Sequence, residues 1–240
     1  MKHIVKGSEP PELGKWFNKQ PTNETGKRIN CGYNDMPSDV RAAIKKRLLQ
    51  EQGCLCCYTG LQIDEASSHI EHFKSQKLCR EEGSHEDIDY NNLLAAYPSD
   101  RAPKCRFGAH AKEDWYDPQL TVSPLHKQCE NQFLFTQFGG IKAATDSNLA
   151  AKETIKRLSL DHEMLKDWRE QAVAEFLFPD NKNLSKAKLQ SIVDKGFCLH
   201  DDKGRYPRFC FVIEQVARKL LQAAERDRKR RQAIQNKSRK

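Results

Sequence analysis

The chain has 240 residues, a mass of 27.7 kDa, a formal net charge of +8 and a mean hydropathy of −0.82. That length suits one large domain or two small ones, and 38% hydrophobic residues with 11 Phe and 3 Trp supply a core and exclude full disorder. The longest apolar runs, such as Phe209-Cys210-Phe211-Val212-Ile213, fall far short of the roughly 20 residues that cross a bilayer, and no apolar signal core follows Met1. A cytoplasmic protein without membrane contact is therefore expected. Nine cysteines, an odd number in a reducing compartment, do not read as a disulfide framework. Cys31, Cys198 and Cys210 read as small buried apolar residues, whereas Cys54, Cys56 and Cys57 cluster close to histidines.

Residues 1–37 are rich in Pro, Gly, Asn and Lys and read as an extended arm, with Trp16-Phe17 as a docking point for a partner. A helix follows: Ser38 offers an N-cap, Val40, Ala43, Ile44 and Leu48 share a face, and Gly53 supplies the stop. From Cys54 to about Lys112 the pattern breaks into short apolar pieces. Within it His69-Ile70-Glu71-His72-Phe73 alternates as a strand, and Asp89 to Ala96 reads as a helix start with Asn91-Asn92 at its mouth. Helical spacing returns with Leu149, Ile155 and Leu158, then with Leu165, Trp168, Val173 and Phe176 behind an Asp161 cap, until Pro179. A short helix is expected from Ser185 to Val193 and a final one from Phe209 to about Ile234. The fold class is α+β, mainly helical. Charge is uneven along it: residues 226–240 hold eight Lys/Arg, including Arg228, Lys229, Arg230 and Arg231, against the single acid Asp227. The rest of the chain is nearly neutral, so a phosphate backbone or an acidic partner would meet the tail.

The chemistry-bearing residues come in a fixed order: Cys54-Leu55-Cys56-Cys57, then Ser68-His69-Ile70-Glu71-His72-Phe73, then Asp89-Tyr90-Asn91-Asn92-Leu93-Leu94, then His110-Ala111-Lys112. Hydrolysing a phosphodiester needs an activated water, neutralisation of developing charge and help for the leaving oxygen. A histidine of ordinary pKa can be the base, and a divalent metal can serve the other two needs. Cys54 and Cys57 have the two-residue gap of a zinc knuckle, with Cys105 the nearest further thiol. His69 reads as a surface or structural residue, and His85, His126, His162 and His200 lie outside the pattern.

This order resembles the HNH nucleases, and the fuller match of CxxC, HIEHF and YNNLL resembles the PtuB-type HNH subunits of Septu and retron-associated anti-phage systems, over most of residues 1–170. The resemblance implies a small ββα-metal core within an HNH domain of residues 38–135, followed by a helical region, 136–225, and the basic tail, 226–240. It implies His72 as general base, Glu71 and His110 as ligands of a catalytic Mg²⁺ or Mn²⁺, and Asn92, with Asn91 as its rival, bonding across the loop to hold the base. His110 would complete the catalytic set, Lys112 would contact phosphate, and Cys54, Cys57 and Cys105 would hold a structural Zn²⁺. The chain departs from zinc-stabilised HNH domains in lacking a second CxxC. Implied partners are nucleic acid, DNA or RNA, and a PtuA-type ATPase of the ABC and SMC class, joined in retron systems by a reverse transcriptase with its RNA–DNA hybrid. No GxxxxGK[ST] loop occurs in this chain, so ATP dependence would come from another polypeptide. The competing expectation is a non-catalytic zinc-knuckle module that binds nucleic acid or protein.

Overall fold

The computed structural model describes residues 1–103, 105–182 and 184–237. In chain order these form α1 (Pro11–Asn18), α2 (Ser38–Glu51), β1 (His69–His72), α3 (Gln76–Glu81), β2 (Leu93–Ala96), α4 (Ala109–Lys112), β3 (Phe133–Phe135), β4 (Ile141–Ala143), α5 (Leu149–Arg157), α6 (Glu163–Leu177), α7 (Lys186–Lys195) and α8 (Cys210–Lys237). The chain is α+β and mainly helical: among the described residues, eight α-helices accompany two small antiparallel sheets, β1–β2 and β3–β4. Among the same residues no helix is long and apolar enough to cross a membrane.

α2 forms where the apolar period predicts it, with Pro37 rather than Ser38 at the N-cap and with Val40, Ile44, Leu48 and Leu49 buried. It stops because Gly53 and Cys54 both turn left-handed, at φ 55° and 57°. A Cβ on Gly53 would lie 2.3 Å from the Tyr206 ring, so both φ and the close approach demand glycine there. The reversed chain makes a knuckle closed by the Leu55–Gln62 bridge and by Cys56 N–H donating to Leu61 O at 2.8 Å. Buried Gln52 pins the knuckle to β2, donating to Leu55 O at 2.7 Å and Ala95 O at 2.8 Å while accepting from Ala95 N at 2.7 Å.

β1 and β2 pair with His69 opposite Ala96 and His72 opposite Leu93. The helix expected from Asp89 onward is confined to a 3-10 turn, Tyr90–Asn92, capped by Asp89; Leu93–Ala96 are a strand. All four strand residues are 0% exposed. A run buried on both faces carries no alternation, so its pattern does not separate a short strand from a helix. The arm also differs from expectation, because its first half folds into α1 and packs on α2. Trp16 is 9% exposed and belongs to the core, which removes it as a docking point, while Phe17 is half-buried. Lys6 fastens the same arm: its Nζ lies 3.1 Å from Leu93 O, 3.3 Å from Glu51 and 3.5 Å above the Tyr90 ring.

The C-terminal half forms as the helical spacing predicts, with His162 rather than Asp161 capping α6 and Ser185 capping α7. Phe209 and Tyr206 return to the knuckle, donating to Gly60 O and Gly53 O at 2.9 Å each. Along α8 the last buried residue is Leu221, and residues 224–236 are exposed. Residues 238–240 of the basic tail lie outside the described residues.

Candidate active site

β1 carries the candidate residues because a strand sends alternate side chains to opposite faces. His69 and Glu71 share one face and His72 takes the other. With Asp100, Ala109, His110 and Glu113, the first two line a cleft of about 340 Å³. α4 supplies Ala109 and His110 as well as Lys112, so strand and short helix meet over the Glu71 carboxylate.

Glu71 is 9% exposed and fully engaged. Its Oε1 accepts from Lys112 Nζ at 2.8 Å and from Tyr58 OH at 3.1 Å, and its Oε2 lies 3.5 Å from His69 Nε2. Burial alone would raise its pKa; the Lys112 charge and the bonds from His69 and Lys112 outweigh burial and hold the carboxyl below its ordinary value. Lys112 is 2% exposed, with its ammonium also donating to His72 O at 2.9 Å. It is therefore turned inward, away from the phosphate-facing position expected for it, because the buried carboxylate needs a counter-charge.

The histidines differ in which ring nitrogen carries a lone pair, and the partner of the other nitrogen decides it. His69 Nδ1 donates to Pro98 O, which leaves Nε2 directed at Glu71. Burial opposes its charge, yet the bonds to Glu71 and the Pro98 carbonyl prevail and raise its pKa. His110 has the reverse polarity: its Nδ1 accepts from Cys105 N at 2.9 Å, so the neutral ring carries its proton on Nε2. Its ring stacks on that of His69, with centroids 5.7 Å apart. His72 donates from Nε2 to Asp87 O at 2.9 Å and keeps its lone pair on Nδ1, 3.4 Å from Gln76 Nε2. Its ring is 6% exposed beneath Tyr33, and burial lowers its pKa against the partial support of the Asp87 carbonyl.

Asn92 spans the loop between the strands. Its Oδ1 accepts from Lys74 N at 2.7 Å, and its Nδ2 donates to Lys74 O at 3.0 Å and Glu86 O at 2.9 Å. Both ends of the segment carrying α3 are thereby held beside His72 and its acceptor Asp87. Asn91 is exposed and bonds only within the Asp89 turn.

Among the described residues, no three His, Cys, Asp or Glu side chains converge as a metal-holding group. A closed zinc site does not fit. The charged groups that act on the Cys54 thiol are Arg205, Asp201 and Asp64, whereas Cys57 neighbours Cys56, Glu71 and Lys112, so the two thiols of the CxxC face different surroundings. Burial leaves the Cys54, Cys57 and Cys105 thiols with raised pKa values. Cys56 departs from them: burial opposes its thiolate, but bonds from Cys57, Thr59 and Tyr97 N–H lower its pKa to about 6. A Mg²⁺ is less demanding, since such ions are held by one or two carboxylates and complete their shell with water and phosphate. Glu71 is a carboxylate on the cleft wall, whereas His69 Nε2, 3.5 Å from its Oε2, is turned to that carboxylate as a partner and not to an ion. His110, expected as the second ligand, presents an N–H instead.

Sequence reasoning did not single out Tyr58, Asp100, Glu113 or Tyr33, and it placed His69 outside the site. For His69 the signal was present: two positions before Glu71, it shares that residue's face of the strand. In sequence comparison the chain matches no family model and no curated protein.

Proposed function

We propose that this protein is a metal-dependent endonuclease of the HNH type, hydrolysing phosphodiester bonds of nucleic acid as the effector of an anti-phage defence complex that an ATPase partner controls. The observation that carries the reading is the β1 arrangement: an acid-lined cleft holding Glu71 and His69, backed by a carbonyl-oriented His72. Glu71, oriented by Lys112, Tyr58 and His69, would hold the Mg²⁺ or Mn²⁺, which supplies charge neutralisation at the phosphate. His72, on the other face of β1, has Nε2 committed to Asp87 O, and its Nδ1 would serve as the proton acceptor for a water that takes the place of the Gln76 amide now 3.4 Å from it. His110, with Nδ1 accepting from Cys105 N, carries its proton on Nε2 in the neutral ring and lines the same cleft as Glu71. Asn92 holds the loop that fixes His72. The exposed basic residues Arg228, Lys229, Arg230 and Arg231 on α8 suit a phosphate backbone without base discrimination.

The test is cleavage of end-labelled DNA and RNA by the purified chain, with Mg²⁺ or Mn²⁺ and with its partner ATPase. His72→Ala and Glu71→Gln are each expected to lower cleavage by at least about 100-fold. Equal cleavage by wild type and His72→Ala would remove the catalytic assignment.

A further inference from the structure

We infer that Tyr33 is a removable cover over His72, released when a phosphate draws Arg41 away from its ring; this rests on the nuclease reading of the β1 site. His72 is 6% exposed, too enclosed to receive a water and a phosphodiester. The Tyr33 ring covers it edge-on, at 4.5 Å between centroids and 88° between planes, beside the Gln76 amide at 3.4 Å from Nδ1. Tyr33 is itself only half-buried, so it is the outer layer. The Arg41 guanidinium lies over the same ring, 5.9 Å from its centroid. Among the described residues Arg41 has no carboxylate within ion-pair reach, so its charge remains available to an incoming phosphate, which guanidinium groups engage bidentately.

The backbone beneath the ring is fixed. Tyr33 N–H donates to Asp87 Oδ2 at 2.8 Å, and the residues flanking its turn, Cys31 and Met36, are each 2% exposed. Asp87 therefore ties both layers, its side chain holding Tyr33 and its carbonyl holding His72. The ring alone can leave, by side-chain rotation, and His72 stays oriented by Asp87 when it does. Edge contacts and a partly exposed cation–π contact are weak enough for one phosphate to displace. Substrate thus opens the site that consumes it, and the Arg41 side of α2 becomes a phosphate subsite beside the base.

The test is carbethoxylation of His72 by diethylpyrocarbonate, located by peptide mass spectrometry, alongside cleavage kinetics. Tyr33→Ala is expected to raise His72 labelling about tenfold and to increase kcat, with Tyr33→Phe unchanged. Pyrophosphate is expected to raise labelling in wild type and to have no effect in Arg41→Gln. Unchanged labelling in folded Tyr33→Ala overturns the cover, as does a fall in its kcat, which would make Tyr33 a positioning residue. If Tyr33→Ala does not fold, Arg41→Gln carries the same test, with raised His72 labelling supporting the cover and wild-type labelling overturning it. Raised labelling in Tyr33→Ala with no cleavage by any form keeps the cover and removes the nuclease reading.

Discussion

Lys112 is a lysine in an environment lysines rarely occupy, almost wholly enclosed with its charge shared between the Glu71 carboxylate and the His72 carbonyl. Removing one partner of such a pair strands the other. Lys112→Met and Glu71→Gln are each expected to cost about 3–5 kcal/mol in urea unfolding, and the double variant less than their sum by about 1–3 kcal/mol. Strict additivity would show that the two side chains do not act as a unit. The second buried lysine, Lys6, gives a pH signature of opposite origin. Burial lowers its pKa from 10.5 to about 8 against the partial support of Glu51. The folded state then releases a proton that the unfolded state keeps until about pH 10.4, so this residue's contribution to stability rises with pH from about 8 to 10. The expected result is a rise across pH 8–10 in wild type that is smaller in Lys6→Met. Neither lysine was legible as a buried residue, because a lysine in a polar stretch looks the same whether it meets water or a carboxylate. The Glu71-His72 pair was legible from its order along the chain, and so was the shared strand face of His69 and Glu71; a surface or structural place was preferred for His69 because alternation alone does not show that a histidine bonds the carboxylate two positions on.

The β1–β2 pair with its intervening loop is the element on which the site depends, and Asn92 is its fastener. Asn92→Ala removes three hydrogen bonds in a largely buried place, at an expected cost of about 2–3 kcal/mol. Faster amide exchange across residues 74–86, with exchange in α8 unchanged, is the result that matches this; uniform acceleration throughout the chain would locate the damage elsewhere. α2 and the C-terminal helices were legible because each buries one face, and that face writes a period into the sequence. Leu93 to Ala96 has no outer face and so leaves no period, α3 and α4 are too short to write one, and α1 was missed although Leu13 and Trp16 recur at helical spacing. The zinc knuckle shows the converse limit. The CxxC spacing was visible, but the different charged neighbours of Cys54 and Cys57 come from residues distant in the chain, Arg205 and Asp201 beside one and Glu71 and Lys112 beside the other, which spacing does not show.

At the scale of the whole molecule, one apolar cluster runs from Met1 and Ile4 through the strands to Leu221, so the arm, the site and the C-terminal helices share buried neighbours. That unity was not legible, since charge and composition change at 38 and again near 145 as though the parts were separate. Beyond Leu221 the helix shares nothing with the cluster. Its exposed basic residues point around the helix rather than along one stripe, so a duplex would meet about half of the five Lys/Arg between Arg226 and Arg231. Truncation after Glu225 is expected to flatten the salt dependence of nucleic-acid binding by about 2–3 in the slope of log K against log salt, with the β1 site unaffected on short substrates. An unchanged slope would mean that the tail meets something other than phosphate. The same helix also acts as a ruler. Thirteen exposed residues, 224–236, extend about 20 Å, which is the rise of about six base pairs; substrates shorter than that, measured from where the helix leaves the body, cannot use its full length. Affinity should therefore climb with duplex length over that interval and then level off, a preference for length that contacts to the phosphate backbone alone would give.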